Sequence, residues 1–312
     1  MDRALSFLGR RAPLVLAFGV FLGLFLPDLA RAVRPVLPIT VLVLIFLPML
    51  RIDLAGVAGH ARRPLLIGAV LVWLLVVCPA LAWWLSGWLG IDPGLAAALV
   101  LMAAAPPITS SPALALMLGL DASLALVVMV AATLIVPFIL PTVALGLLEL
   151  QLAVSAGEFI LRLGALIGTA MVAAVVVRRL VGVGLLTRAA EHLDGIAVLL
   201  MLVFAVAIMD GVAAAVLADA VHVATLIGAA FVAYIALQAG SALVFSLLGR
   251  WEALTVAFAG GNRNMGLLLA VLPATVHPDV LLYFAVGQLP IYVMPSLLAP
   301  LYRWLLAKAP EE

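Results

Sequence analysis

The sequence is poor in the residues that soluble chemistry uses. Cys78 is the only cysteine, which excludes an internal disulfide and a cysteine-rich metal site. Lys308 is the only lysine. The histidines His60, His192, His222 and His277 stand far apart, in or near expected loops, which argues against a histidine metal cluster. No serine, histidine and acid combination or metal-ligand spacing falls within an apolar run, so the chain reads as a non-enzyme without cofactors. Charged residues are 10% of the chain, where soluble domains carry about a quarter. The net charge of +1 gives no reason to expect a nucleic-acid partner.

What is abundant is apolar length. Hydrophobic residues make up 67% of 312 positions, so the expected class is an all-α polytopic membrane protein whose surroundings are the lipid bilayer. Runs long enough to cross about 30 Å of hydrocarbon fall near 12–30, 35–50, 64–88, 94–119, 122–146, 155–177, 193–215, 222–248, 252–275 and 279–306. That is about ten spans. The first follows Arg10 and Arg11 but leads to no small-residue cleavage site, so it reads as a span rather than a signal peptide.

Alternating these spans collects Arg3, Arg10, Arg11, Arg51, Arg62, Arg63, Arg178, Arg179, Arg188, Arg250, Arg303 and Lys308 on one side. Arg31, Arg34 and Arg162 fall on the other, and Arg263 on neither. The positive-inside rule then puts both termini in the cytoplasm. A bacterial inner membrane is the expected location. Trp83, Trp84 and Trp88 at one end, with Trp251 and Trp304 at the other, suit interfacial belts.

The fourth and ninth spans share a layout. "APPITSSPALALML" from Ala105 and "AGGNRNMGLLLAVL" from Ala259 each run from apolar residues through helix breakers and a polar patch into a second apolar run, at an offset of about 154 residues. The same offset sets Pro141 against Pro295. An odd number of spans in each half, 1–150 and 151–312, predicts two inverted five-helix repeats, the architecture of secondary transporters with sites at interrupted helices. Pro106 and Pro107 end a half-helix. Thr109, Ser110 and Ser111 are N-cap types ahead of Pro112. Gly260 and Gly261 are expected to loosen the second break, where Asn262 or Asn264 caps. Both restarted helices would present N-termini suited to an anion. The candidate substrate contacts are therefore Thr109, Ser110, Ser111, Asn262, Arg263 and Asn264.

On these two stretches, and on "PITVLVLIFLPMLRIDL" in the second span, the chain resembles the bile acid:sodium symporter family along nearly its whole length. The resemblance implies a panel domain of helices 1, 2, 6 and 7 and a core domain of helices 3–5 and 8–10, with helices 4 and 9 unwound and crossing. It implies organic anion substrates, bile-acid-like or small carboxylates, usually coupled to two sodium ions. Thr109 and Asn264 match positions that meet substrate, and Ser111 and Thr133 match sodium ligands. Other ligand positions depart from the pattern: Ala259, Pro112, Leu74 and Met129 stand where the family keeps polar ligands, and Arg263 replaces a glutamine. Both sodium sites look dismantled, so sodium coupling is not expected.

Arginine at bilayer depth is expensive. One reading gives Arg263 the place of a sodium ion, either bracing carbonyls freed at the break or gripping a substrate carboxylate. Asp210 is the only acid well inside an expected span. Its readings are a proton site, a partner for Arg263, or a residue of the outer interface. Gln238, Ser241, Gln288 and Tyr292 either line a cavity or bond neighbouring helices. The competing functions are a cation/proton antiporter, which needs acids at the crossover, and a non-transporting sensor or scaffold. Oligomeric state is left open.

Overall fold

The computed structural model describes residues 12–50, 63–148, 155–272 and 276–307. His60, Arg3, Arg10, Arg11, Arg51, Arg62 and Lys308 lie outside the described residues. Regular structure among the described residues is helical apart from one isolated bridge. Seven helical stretches are long and apolar enough to cross a membrane: Pro27–Leu50, Pro64–Trp88, Ala122–Val143, Ala156–Val181, His192–Ala218, Ala220–Val244 and Pro278–Ala307. Two further segments are interrupted, Pro93–Ala104 with Ser111–Leu118 and Arg250–Gly261 with Met265–Leu269. The helix Ala12–Phe25 precedes them all.

The first boundary differs from the sequence expectation of a span over 12–30. Leu26 leaves the helical region at φ −122°, and Pro27 starts a new helix that runs, through a short 3-10 turn, into Leu37–Leu50. Proline has no N–H to continue the earlier helix, but it is preorganised for a first turn.

Contacts divide the chain into two units, Met1–Ile52 with Arg162–Leu226, and Asp53–Leu161 with Ile227–Glu312. In the first unit, the helix Ala12–Phe25 packs along Ala190–Ala207. Gly19 and Gly23, four residues apart on one face, make that approach possible. A Cβ at Gly23 would lie 2.6 Å from the Val206 carbonyl oxygen. Lipid tails are as apolar as leucine, so close van der Waals packing of small residues holds such helices together.

In the second unit, Val70, Leu74, Leu75, Leu124, Val128, Val256 and Ala259 form one buried cluster. Ala115, Leu118, Leu254, Phe258 and Tyr302 form another. Both interrupted segments belong to this unit. Ala122–Gly146 stays helical through Pro137 and Pro141. The helix Pro64–Val72 passes into a π-helical turn, Trp73–Val77, before Cys78–Trp88.

Candidate functional site: two interrupted segments joined by a buried arginine

The first half-helix ends at Ala104, where Ala105 turns extended at ψ 148° ahead of Pro106 and Pro107. The second ends at Gly261, with Asn262 non-helical. The two extended stretches meet as a short antiparallel pair. Ile108 N–H donates to the Asn262 carbonyl at 2.9 Å, and Asn264 N–H donates to the Pro106 carbonyl at 2.8 Å. Pro107 and Arg263 face each other between these bonds. Backbone groups that a broken helix would leave unpaired are thus satisfied by the other break, as an apolar environment requires.

Gly260 and Gly261 do not loosen the chain, contrary to the sequence expectation. They are the last two residues of Arg250–Gly261 and press it against Ala220–Val244, where a Cβ on Gly261 would lie 2.9 Å from the Tyr234 carbonyl oxygen. Their value is small size, and the break begins one residue later.

Arg263 is fully buried. Its Nε donates to the Gly260 carbonyl at 2.6 Å, and its Nη1 donates to the carbonyls of Ala105 at 2.9 Å and Leu74 at 3.2 Å. Each acceptor has lost its helical donor for an identifiable reason. The Gly260 carbonyl would take the Asn264 N–H, which goes to Pro106 instead. The Ala105 carbonyl sits where the helix ends at two prolines. The Leu74 carbonyl lies in the π turn, where Cys78 N–H donates to Trp73, and its own i+5 position is Pro79, which has no N–H.

Two of these carbonyls belong to half-helix C-termini, each carrying about half a negative charge. Together they are of the size needed to offset one guanidinium. Among the described residues no carboxylate pairs with Arg263, whose bonds go to main-chain carbonyls. Nη2 has no hydrogen-bond partner. The space beside the guanidinium, bounded by Met102, Tyr234, Met265 and Tyr283 among others, is about 10 Å³, about one water.

The other candidate residues fall into distinct places. Asn264 caps Met265–Leu269 through Oδ1, which accepts from Leu267 N–H at 3.2 Å. Asn262 is buried, donates from Nδ2 to the Phe258 carbonyl and accepts from the Tyr234 hydroxyl at 3.2 Å. Ser110 occupies the N-cap of Ser111–Leu118 without a side-chain cap bond. Ser111 is fully buried and its hydroxyl has no partner. Thr133 is buried and donates to the Met129 carbonyl at 2.7 Å. Thr109, Ser110 and Asn264 keep partial exposure.

Two of the remaining polar residues bond neighbouring helices: Tyr302 donates to Gln238 at 2.6 Å, and Trp73 donates to Ser241 at 2.8 Å. Gln288 donates to the Phe284 carbonyl of the preceding turn. Asp210, in the first unit, accepts from Arg34 Nη1 at 2.8 Å and lies 4.0 Å from Arg31. Its arginine partner is therefore Arg34, while Arg263 is engaged by carbonyls. Asp210 thus stands with Arg31 and Arg34, two of the three arginines that the charge count sets on one side.

Sequence reasoning missed the contribution of Leu74, which it read only as an apolar side chain. From sequence, Pro79 marks only the Leu75 carbonyl as lacking its i+4 donor; the Leu74 carbonyl is freed by the π turn, which sends Cys78 N–H to Trp73.

The assembly is that of a polytopic membrane protein with two interrupted helices paired through their breaks. A family model described as Sodium Bile acid symporter family matches residues 38–219, more than half of the chain, and the chain belongs to that family. The match includes the first break and stops before the second. Comparison with curated proteins returns no match.

Proposed function

We propose that this protein is a secondary transporter of an organic anion, bile-acid-like or a small carboxylate, working by alternating access without sodium coupling, and that Arg263 is a fixed internal cation. The family supports the transporter class. The observation that carries the sodium-independent reading is the capture of the Leu74, Ala105 and Gly260 carbonyls by one buried guanidinium. Sodium needs oxygen ligands. Leu74, Met129 and Ala259 offer none from their side chains, and the carbonyls of Leu74, Ala105 and Gly260 are taken by Arg263.

Counting the two interrupted segments and Ala12–Phe25 as spans brings the seven long helices to ten, which supports the reading of two inverted five-helix repeats. The two contact units then play the parts of panel and core. Arg263 is read as a brace rather than a carboxylate grip, because it is fully buried and the space beside it is of water size. Substrate is met by the partly exposed Thr109, Ser110 and Asn264, near the N-terminal end of Ser111–Leu118, where backbone N–H groups favour an anion. Ser111 and Thr133 are left as second-rank polar positions, with Thr133 committed to Met129. An antiporter would place a carboxylate at the crossover, where this chain has Thr, Ser, Asn and Arg.

The test is uptake of a panel of radiolabelled carboxylates and bile acids into proteoliposomes, with choline or sodium as the only added cation. Substrate accumulation at equal rates in both salts supports the proposal. Sodium-stimulated uptake refutes the coupling mode, and no uptake of any anion favours the non-transporting reading.

A further inference from the structure

Away from the crossover, the second unit carries a groove of about 340 Å³ bounded by Arg63, Pro64, Leu65, Leu66, Leu248 and Glu252. Three membrane segments begin or end there: Pro64–Trp88 starts, Ala220–Val244 has just finished with the 3-10 turn Ser246–Leu248, and Arg250–Gly261 starts. Ends of membrane-spanning helices are expected at the level of lipid headgroups rather than in the hydrocarbon. Trp251, half exposed beside it, is a residue type that favours that depth. Apart from Arg63 and Glu252 the groove is bounded by apolar residues, of which Leu65 is almost wholly exposed.

At the rim Arg63 Nη1 lies 3.2 Å from Glu252 Oε1, so a fixed positive and a fixed negative group stand side by side. The chain leaves room for the Glu252 carboxylate. Its Oε2 lies over Gly249, where a Cβ would come within 2.9 Å, and Gly249 has a φ of +109° that favours glycine. The neighbouring Arg250 is directed elsewhere, to the Leu305 carbonyl.

From this pairing of charges above an apolar groove we propose a binding site for one phospholipid with a zwitterionic, hydrogen-donating headgroup, phosphatidylethanolamine. The lipid phosphate accepts from the Arg63 guanidinium, its primary ammonium donates to the Glu252 carboxylate, and its chains lie on Leu65, Leu66 and Leu248. Charge complementarity selects this lipid over others. A glycerol headgroup has hydroxyl donors but no positive charge, so its net negative charge meets the Glu252 carboxylate without a charge partner. A choline headgroup has charge but no N–H.

The experiment measures thermal unfolding of the purified full chain in detergent. The added lipids have matched chains and carry ethanolamine, N-methylethanolamine, N,N-dimethylethanolamine, choline or glycerol headgroups. We expect a rise of at least about 3 °C with ethanolamine, falling stepwise with each methyl group, and little effect from choline or glycerol. Glu252→Gln should abolish the preference of ethanolamine over choline, and Arg63→Gln should reduce stabilisation by every headgroup. Each variant is compared with its own lipid-free baseline, so a general loss of stability does not mimic loss of binding. Equal stabilisation by ethanolamine and choline lipids in the wild type would overturn the proposal. So would a wild-type preference for the glycerol headgroup, or an ethanolamine preference that survives Glu252→Gln.

Discussion

The Arg263 guanidinium donates to the carbonyl of Leu74, a residue whose helical hydrogen bond is removed by a π turn and by Pro79. A side chain from the second break therefore supplies the donor that a π turn and a proline remove in another helix. The arrangement is a buried network in which every acceptor would be left unpaired without the arginine.

The first prediction concerns that network. Arg263→Met removes three hydrogen bonds and leaves three buried carbonyls, each costing about 1–3 kcal/mol. Stability in detergent should fall by about 3 kcal/mol or more, read as a lowered melting temperature or reduced resistance to denaturant. Arg263→Lys should recover only part of the loss, because its single nitrogen cannot stand at both the Nε and the Nη1 positions from which the three bonds are made. Equal stability of Arg263→Met and wild type would remove the brace from the account.

The second concerns packing behind the break. Gly261→Ala sets a methyl group 2.9 Å from the Tyr234 carbonyl oxygen, and overpacking of this kind costs about 1–3 kcal/mol. Gly164 has open space around it, so Gly164→Ala serves as a control that should leave the melting temperature unchanged or slightly raised.

The third separates the readings of Asp210. If its part is to pair with Arg34, a double-mutant cycle between Arg34→Ala and Asp210→Ala should give a coupling of about 0.5–1 kcal/mol. The pH dependence of uptake should be the same in Asp210→Asn and wild type. A lost pH response in Asp210→Asn would instead make it a proton site.

The fourth concerns an interhelical bond. Tyr302→Phe takes the donor from Gln238 Oε1, whose Nε2 already lacks a partner. The expected loss is about 1–2 kcal/mol, with Gln238→Leu in the same background recovering most of it, because an apolar pair leaves no polar atom unsatisfied.

The sequence shows the breaks because their signals are local. Pro106 and Pro107 cannot continue a helix, and Asn264 is a capping type that does cap. The asymmetry of arginines likewise sets Arg31 and Arg34 on one side, though it does not show their contact with Asp210. Less visible is anything carried by the main chain. Ala259 and Leu74 read as lost ligands, while the carbonyls of Leu74, Ala105 and Gly260 do the bonding. The role of Gly260 and Gly261 depends on the nearness of Ala220–Val244, a long-range contact that no local pattern contains. The end of the first span at Leu26 was within reach, since Pro27 marks it, but the apolar run through Leu29 conceals it.

The account turns on Arg263 holding a position where a transported cation would otherwise bind. The measurement that tests this most directly is the melting temperature of the purified wild-type protein as sodium replaces choline at constant ionic strength. The account predicts no sodium-specific change. A saturable rise with sodium, absent with choline, would show that an ion site survives and would contradict it.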